Sequence, residues 1–131
     1  MSLSVVLALL GGCGEGGADD SGPGDATGSL APVQALFDTH CVACHSGAEP
    51  TGGLDLEAGR SWAQLVDVDS LGSTLPRVAP GDLDGSYLWL KVHGRQGEVE
   101  GTGTPMPPNY LLTAAELAPV EAWILAGAPD S

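Results

Sequence analysis

Residues 40–47, HCVACHSG, place two cysteines and a histidine within five consecutive positions of a chain that has three cysteines in all. Thiols and an imidazole at this spacing serve four chemistries: a metal site, a redox dithiol, a disulfide, or the covalent attachment of a haem. Four-coordinate structural zinc takes its ligands as two pairs, and no second cysteine pair follows Cys44. A thioredoxin-like dithiol opens a helix that follows a strand. Here apolar spacing predicts a helix before the motif, and strand-like segments are scarce. Cys41-Val42-Ala43-Cys44-His45 matches Cys-x-x-Cys-His. Two thiols about one helical turn apart reach the two vinyl groups of a haem, and the adjacent histidine turns an imidazole nitrogen to the iron. The pattern therefore points to haem c bound covalently through Cys41 and Cys44, with His45 as proximal ligand.

The iron then needs a sixth ligand, and Met106, His93 and His40 are the candidates. Met106 lies in Thr104-Pro105-Met106-Pro107-Pro108, where prolines fix φ and withhold backbone donors, so the loop presents a thioether without helical or sheet pairing. A soft sulfur ligand raises the reduction potential and suits electron transfer. His93 is the alternative. His40 shares a short segment with His45 and is expected to be exposed or satisfied by hydrogen bonds. Arg77 is a candidate contact for a haem propionate, where a guanidinium makes a charge-assisted bond that lysine would make less well. The N–H of His45 away from the iron is expected to find a carbonyl in the loop 50–54.

Helical periodicity begins at Leu30, with Val33, Leu36 and Phe37 on one face and Pro32 in the first turn, and is expected to run through the cysteine motif to Ser46-Gly47. A short helix is predicted around 57–66. A third follows caps at Asp82, Asp84 or Ser86 and stops at Gly94. A long loop leads to LLTAAELAPVEAWILAGAPD, where Thr113 and Glu116 have capping-box spacing and Leu117, Val120 and Ile124 share a face. Pro119 predicts either a kink or a start nearer Leu117. Twenty glycines, ten prolines and only six aromatic side chains indicate a loop-rich fold with a small core, which leaves room for a large apolar cofactor.

Leu3 to Leu10 is an apolar run of eight residues, too short to span a bilayer and suited to a signal peptide. Leu10-Gly11-Gly12-Cys13 resembles a bacterial lipobox, although no Lys or Arg precedes Leu3. Residues 1–12 are read as a lipoprotein-type signal peptide with lipidation at Cys13, 13–30 as a flexible acidic tether, and 31–131 as one domain. The tether's reach is about 20 to 25 Å. A net charge of −13 excludes nucleic-acid binding through a basic face. The expected location is the periplasmic face of a bacterial membrane, held by lipid.

HCVACHSG, GGLDL (52–56), RVAPGDLDGSYLWLKVHG (77–94), TPMPP (104–108) and LTAAELAPVEAWILAGAPD (112–130) resemble, in this order, the class I monohaem c-type cytochrome domains, in particular the planctomycete-type cytochrome c family. The resemblance implies an all-α fold whose first and last helices cross, with Phe37 near Trp123, and whose loops wrap one covalent haem. It implies thioethers at Cys41 and Cys44, His45 proximal and Met106 distal. The expected function is single-electron transfer between redox protein partners, with no enzymatic chemistry. The alternative is a haem enzyme or gas-binding module, peroxidase-like, with a displaceable sixth ligand.

Overall fold

The computed structural model describes residues 28–131. The apolar run, Cys13 and most of the expected tether lie outside the described residues. Packing begins inside the segment assigned to the tether. Gly28 is buried, and a Cβ there would lie 3.1 Å from that of Ala126. The Leu30 N–H donates to the Ser131 carbonyl at 3.2 Å. Gly28 and Leu30, at the end of the segment read as tether, thus pack on the C-terminal segment.

Helix α1 spans Leu30–His40, with Pro32 in the first turn where its missing N–H is no loss. Its regular part ends five residues short of His45. The Phe37 carbonyl accepts both the Cys41 N–H (2.8 Å) and the Val42 N–H (3.0 Å), a widened turn that stops the helix. Helix α2 is Ser61–Leu65, shorter than expected, and α3 is Tyr87–Val92. Gly94, with φ of 68°, ends the α3 segment as anticipated. Ser86 precedes α3 but does not cap it with its side chain. Its hydroxyl instead accepts the Ala79 N–H (2.8 Å) and donates to the Asp82 carbonyl (2.7 Å), closing the preceding turn.

Helix α4 spans Ala114–Leu125 and starts with the anticipated capping box. Thr113 Oγ1 accepts the Glu116 N–H at 3.1 Å, and Glu116 Oε1 accepts the Thr113 N–H at 2.9 Å. A start nearer Leu117 is thus ruled out, and Pro119 sits inside the helix. The carbonyl that Pro119 leaves without a helical donor belongs to Ala115, an exposed residue that reaches water, while the proline ring is buried in the core. That combination makes the proline tolerable.

Val33 and Phe37 of α1 pack with Val120, Trp123 and Ile124 of α4 in one core, each no more than 2 % exposed. Past α4 the chain turns back, and two indoles hold it: Trp62 Nε1 donates to the Ala128 carbonyl (2.8 Å) and Trp123 Nε1 to the Pro129 carbonyl (2.9 Å). Among the described residues β-pairing is confined to isolated bridges at Val66–Val78, Asp69–Pro76 and Ala79–Asp82. The helix-dominated, sheet-free build accords with the all-α expectation. Among the described residues no helix is long and apolar enough to cross a membrane.

Candidate haem attachment site

The Cys-x-x-Cys-His segment is a pair of hydrogen-bonded turns hung from the end of α1. The Cys41 carbonyl accepts the Cys44 N–H (3.2 Å) and the His45 N–H (3.0 Å), and Ser46 Oγ donates to the Val42 carbonyl at 2.6 Å. The following loop folds back on the motif. Thr51 N–H donates to the Cys44 carbonyl (2.9 Å), and Leu56 N–H to the His45 carbonyl (2.7 Å). His45 Nδ1 lies 2.9 Å from the Thr51 carbonyl, inside the loop 50–54 where a partner was expected. With Nδ1–H donating there, Nε2 is the nitrogen left for a ligand.

Two glycines make that carbonyl available. Gly52 and Gly53 have φ of 67° and 66°, a left-handed pair that side-chain-bearing residues rarely adopt. The loop is also fixed from α1 by Gln34, which the sequence did not single out. Its Nε2 donates to the Leu56 carbonyl at 2.8 Å, and its Oε1 accepts the Ser61 hydroxyl. A glutamine beside an apolar helical stripe gives no sequence signal of this, because both partners lie more than 20 residues away.

Cys41 and Cys44 are free thiols, Cys41 half-buried and Cys44 exposed. Burial, and secondarily the neighbouring Cys44, push the Cys41 thiol up to about 11. A redox dithiol works through a thiolate with a depressed pKa, so this thiol is poorly suited to disulfide exchange. Among the described residues no three His, Cys, Asp or Glu side chains converge on a common point where a metal ion would sit. Two unpaired thiols beside an imidazole with a fixed Nδ1 fit a covalently held haem.

Met106 lies elsewhere in the fold, on a loop held by α3. Its N–H donates to the Lys91 carbonyl at 3.0 Å. Lys91 Nζ and the Tyr87 hydroxyl both donate to the Thr102 carbonyl, and Gln96 Nε2 donates to the Gly103 carbonyl at 3.2 Å. His93 follows α3 directly. Its Nδ1 is 2.8 Å from the Trp89 carbonyl and its ring centroid 4.2 Å from that of Trp89. No hydrogen bond links Met106 or His93 to His45. His40 has both ring nitrogens engaged, Nδ1 by the Tyr110 hydroxyl (2.9 Å) and Nε2 by Glu116 (3.4 Å).

Arg77 stands between the two halves. Its Nη1 donates to the Gln64 carbonyl (2.9 Å) and its Nη2 reaches the Gly53 carbonyl (3.5 Å), while its own carbonyl accepts the Leu88 N–H. Burial lowers its pKa from the ordinary guanidinium value. Among the aromatic side chains around these segments, Tyr87 and Trp89 are buried, Trp62 packs on the core, and Tyr110 is exposed. The chain's other cations are occupied within it: Arg60 pairs with Asp55 and Glu57, and Arg95 with Glu98 and Asp84.

A histidine oriented through Nδ1, next to two thiols on the turn that closes a helix, is the arrangement of a c-type cytochrome. A family model described as Planctomycete cytochrome C matches residues 41–109, more than half of the chain. The chain belongs to that family, and membership implies covalently bound haem c. No curated protein and no solved structure matches it.

Proposed function

We propose that the protein is a monohaem electron carrier, with one haem c bound through Cys41 and Cys44, His45 ligating through Nε2 and Met106 supplying the sixth ligand. The observation that carries this reading is the His45 Nδ1 contact with Thr51, which leaves the other nitrogen available to a ligand beside two free thiols. The haem supplies one-electron chemistry between Fe(II) and Fe(III). The chain's own residues do the rest. Cys41 and Cys44 fix the group's position, the Thr51 carbonyl orients the imidazole and raises its donor strength, and the 104–108 loop closes the other side. In this reading the fold is cytochrome c-like, with α1 and α4 packed together and the loops wrapping the haem. Arg77, held by the Gln64 carbonyl of α2 and reaching the Gly53 carbonyl of the loop beyond His45, is the propionate contact.

Further parts of the proposal concern the segment before residue 28. Cys13 carries lipid after removal of residues 1–12, the acidic tether spans the gap, and the domain exchanges electrons with membrane-bound or exported redox proteins on the periplasmic face. A net charge of −13 with the cations tied up internally favours partners that present a basic face.

The decisive experiment is the spectrum of the exported holoprotein. Covalent haem on a denaturing gel that is lost in Cys44→Ala, and a near-infrared Met-to-Fe(III) charge-transfer band that is lost in Met106→Ala, are expected. Rapid binding of CO or cyanide by the wild type would instead establish the peroxidase-like or gas-binding alternative. A wild type without that band, whose low-spin spectrum is lost in His93→Ala and retained in Met106→Ala, would overturn the axial assignment. Release of a Cys13→Ser variant from membranes tests the anchor.

A further inference from the structure

We propose that His40, Tyr110 and Glu116 form a latch that holds the Met106 loop against the haem attachment turn, making His40 and Tyr110 positioning residues for the distal ligand. The proposal rests on the reading of Met106 as sixth ligand. His40 is the last residue of α1 and adjoins Cys41; Tyr110 lies four residues after Met106. The latch thus joins the two segments that supply the two sides of the site.

The geometry is specific. His40 Nδ1 lies 2.9 Å from the Tyr110 hydroxyl, and the two rings meet edge to face at 5.8 Å between centroids. On the other side of the imidazole, Nε2 lies 3.4 Å from Glu116 Oε2. Glu116 is itself immobilised, since its Oε1 accepts the Thr113 N–H in the capping box of α4. A carboxylate facing Nε2 favours the proton there, which leaves Nδ1 of a neutral ring to accept the phenol O–H. The His40 side chain is 17 % exposed and sits between the more open Tyr110 and Glu116.

A thioether is a weak ligand, and its replacement by an outside base requires the 104–110 loop to move away. A hydrogen bond present in the closed arrangement and absent in the open one lowers the open population on the order of five-fold. The latch therefore controls how readily the sixth position opens, without touching the iron.

The test is imidazole binding to the ferric holoprotein, followed by loss of the Met-to-Fe(III) band, in wild type, Tyr110→Phe, His40→Ala, the double variant and His40→Asn. Tyr110→Phe keeps the ring and removes only the hydroxyl. Each single removal is expected to raise the apparent affinity about five-fold, and the double variant no further. His40→Asn, whose carboxamide oxygen stands near the place of Nδ1, should restore wild-type affinity. A wild type with the band and single variants of unchanged affinity overturns the latch, as does a lowered melting temperature with no change in affinity. A wild type without the band overturns the Met106 reading, and the latch with it.

Discussion

The turn at Thr51–Gly53 offers a matched test of how His45 is oriented. Gly52 has φ of 67° and ψ of 13°, and a Cβ added there meets nothing within 4 Å. Alanine therefore adds no clash, and its cost is that of left-handed backbone, about 1–2 kcal/mol. It also restricts the unfolded chain, which returns about 0.4–1 kcal/mol and leaves a net loss of about 1 kcal/mol. Gly59, with φ of 85° and equally open surroundings, gives the same backbone cost without touching the His45 contact. In a domain of this size about 1 kcal/mol lowers the melting temperature by about 4–8 °C. Gly52→Ala and Gly59→Ala should share that loss in the holoprotein.

The two variants should separate in the reduction potential. Strain at residue 52 is relieved by rotating the turn, which withdraws the Thr51 carbonyl from Nδ1. A carbonyl on Nδ1–H strengthens the imidazole as a donor and favours Fe(III), so its withdrawal raises the potential. A hydrogen bond of about 1 kcal/mol, at about 59 mV per tenfold for one electron, bounds the shift at about 40 mV. Voltammetry is expected to show a rise of tens of millivolts in Gly52→Ala and none in Gly59→Ala. Equal potentials in all three proteins, with both variants destabilised alike, would refute the claim that this turn sets the imidazole proposed as proximal ligand.

Gly101→Ala would put a Cβ 2.5 Å from the Tyr87 hydroxyl and should cost about 1–3 kcal/mol in denaturant unfolding, loosening the loop that leads to Met106. Thr113→Ala removes the hydroxyl half of the capping box and should cost about 1 kcal/mol by the same assay. The Thr113 backbone N–H, then its hydroxyl, hold the Glu116 carboxyl below its ordinary value of 4.5. Its contribution is present above that pH and is lost as pH falls through the depressed folded value, so the stability gap between wild type and Glu116→Gln should close on acidification. Added salt should slow oxidation of the reduced holoprotein by a cationic cobalt complex and accelerate oxidation by ferricyanide, and stopped-flow rates check both slopes.

What could be read from the sequence was local. Cys-x-x-Cys-His, the Thr113–Glu116 box and the Gly94 stop each depend on residues within a turn of one another, and all three stand in the structure as spaced. The loop that would hold the His45 N–H was also legible, since Gly52-Gly53 marks a turn that exposes a carbonyl. Features set by distant partners were not legible. The early end of α1 follows from a carbonyl shared by two donors. Ser86 serves the 79–86 turn instead of α3, and Pro119 is accepted because Ala115 faces water while the ring faces the core. Arg77 was singled out for its charge, whereas its position is defined by carbonyls at Gln64 and Gly53. The latch was invisible for the same reason: His40 and Tyr110 are 70 positions apart.

The indoles that clamp the C-terminal strap also make the protein its own optical gauge. Two of its three tryptophans donate to that strap, and the third, Trp89, stacks beside His93 at the end of α3. A domain of about 100 residues has a radius of gyration near 13 Å, so every indole lies close enough to a haem on Cys41 and Cys44 for its emission to be absorbed. The folded holoprotein should therefore be nearly dark under ultraviolet excitation. Light appears only where the chain expands and carries the indoles away from the haem, which separates loss of packing from loss of iron ligation in a single cuvette.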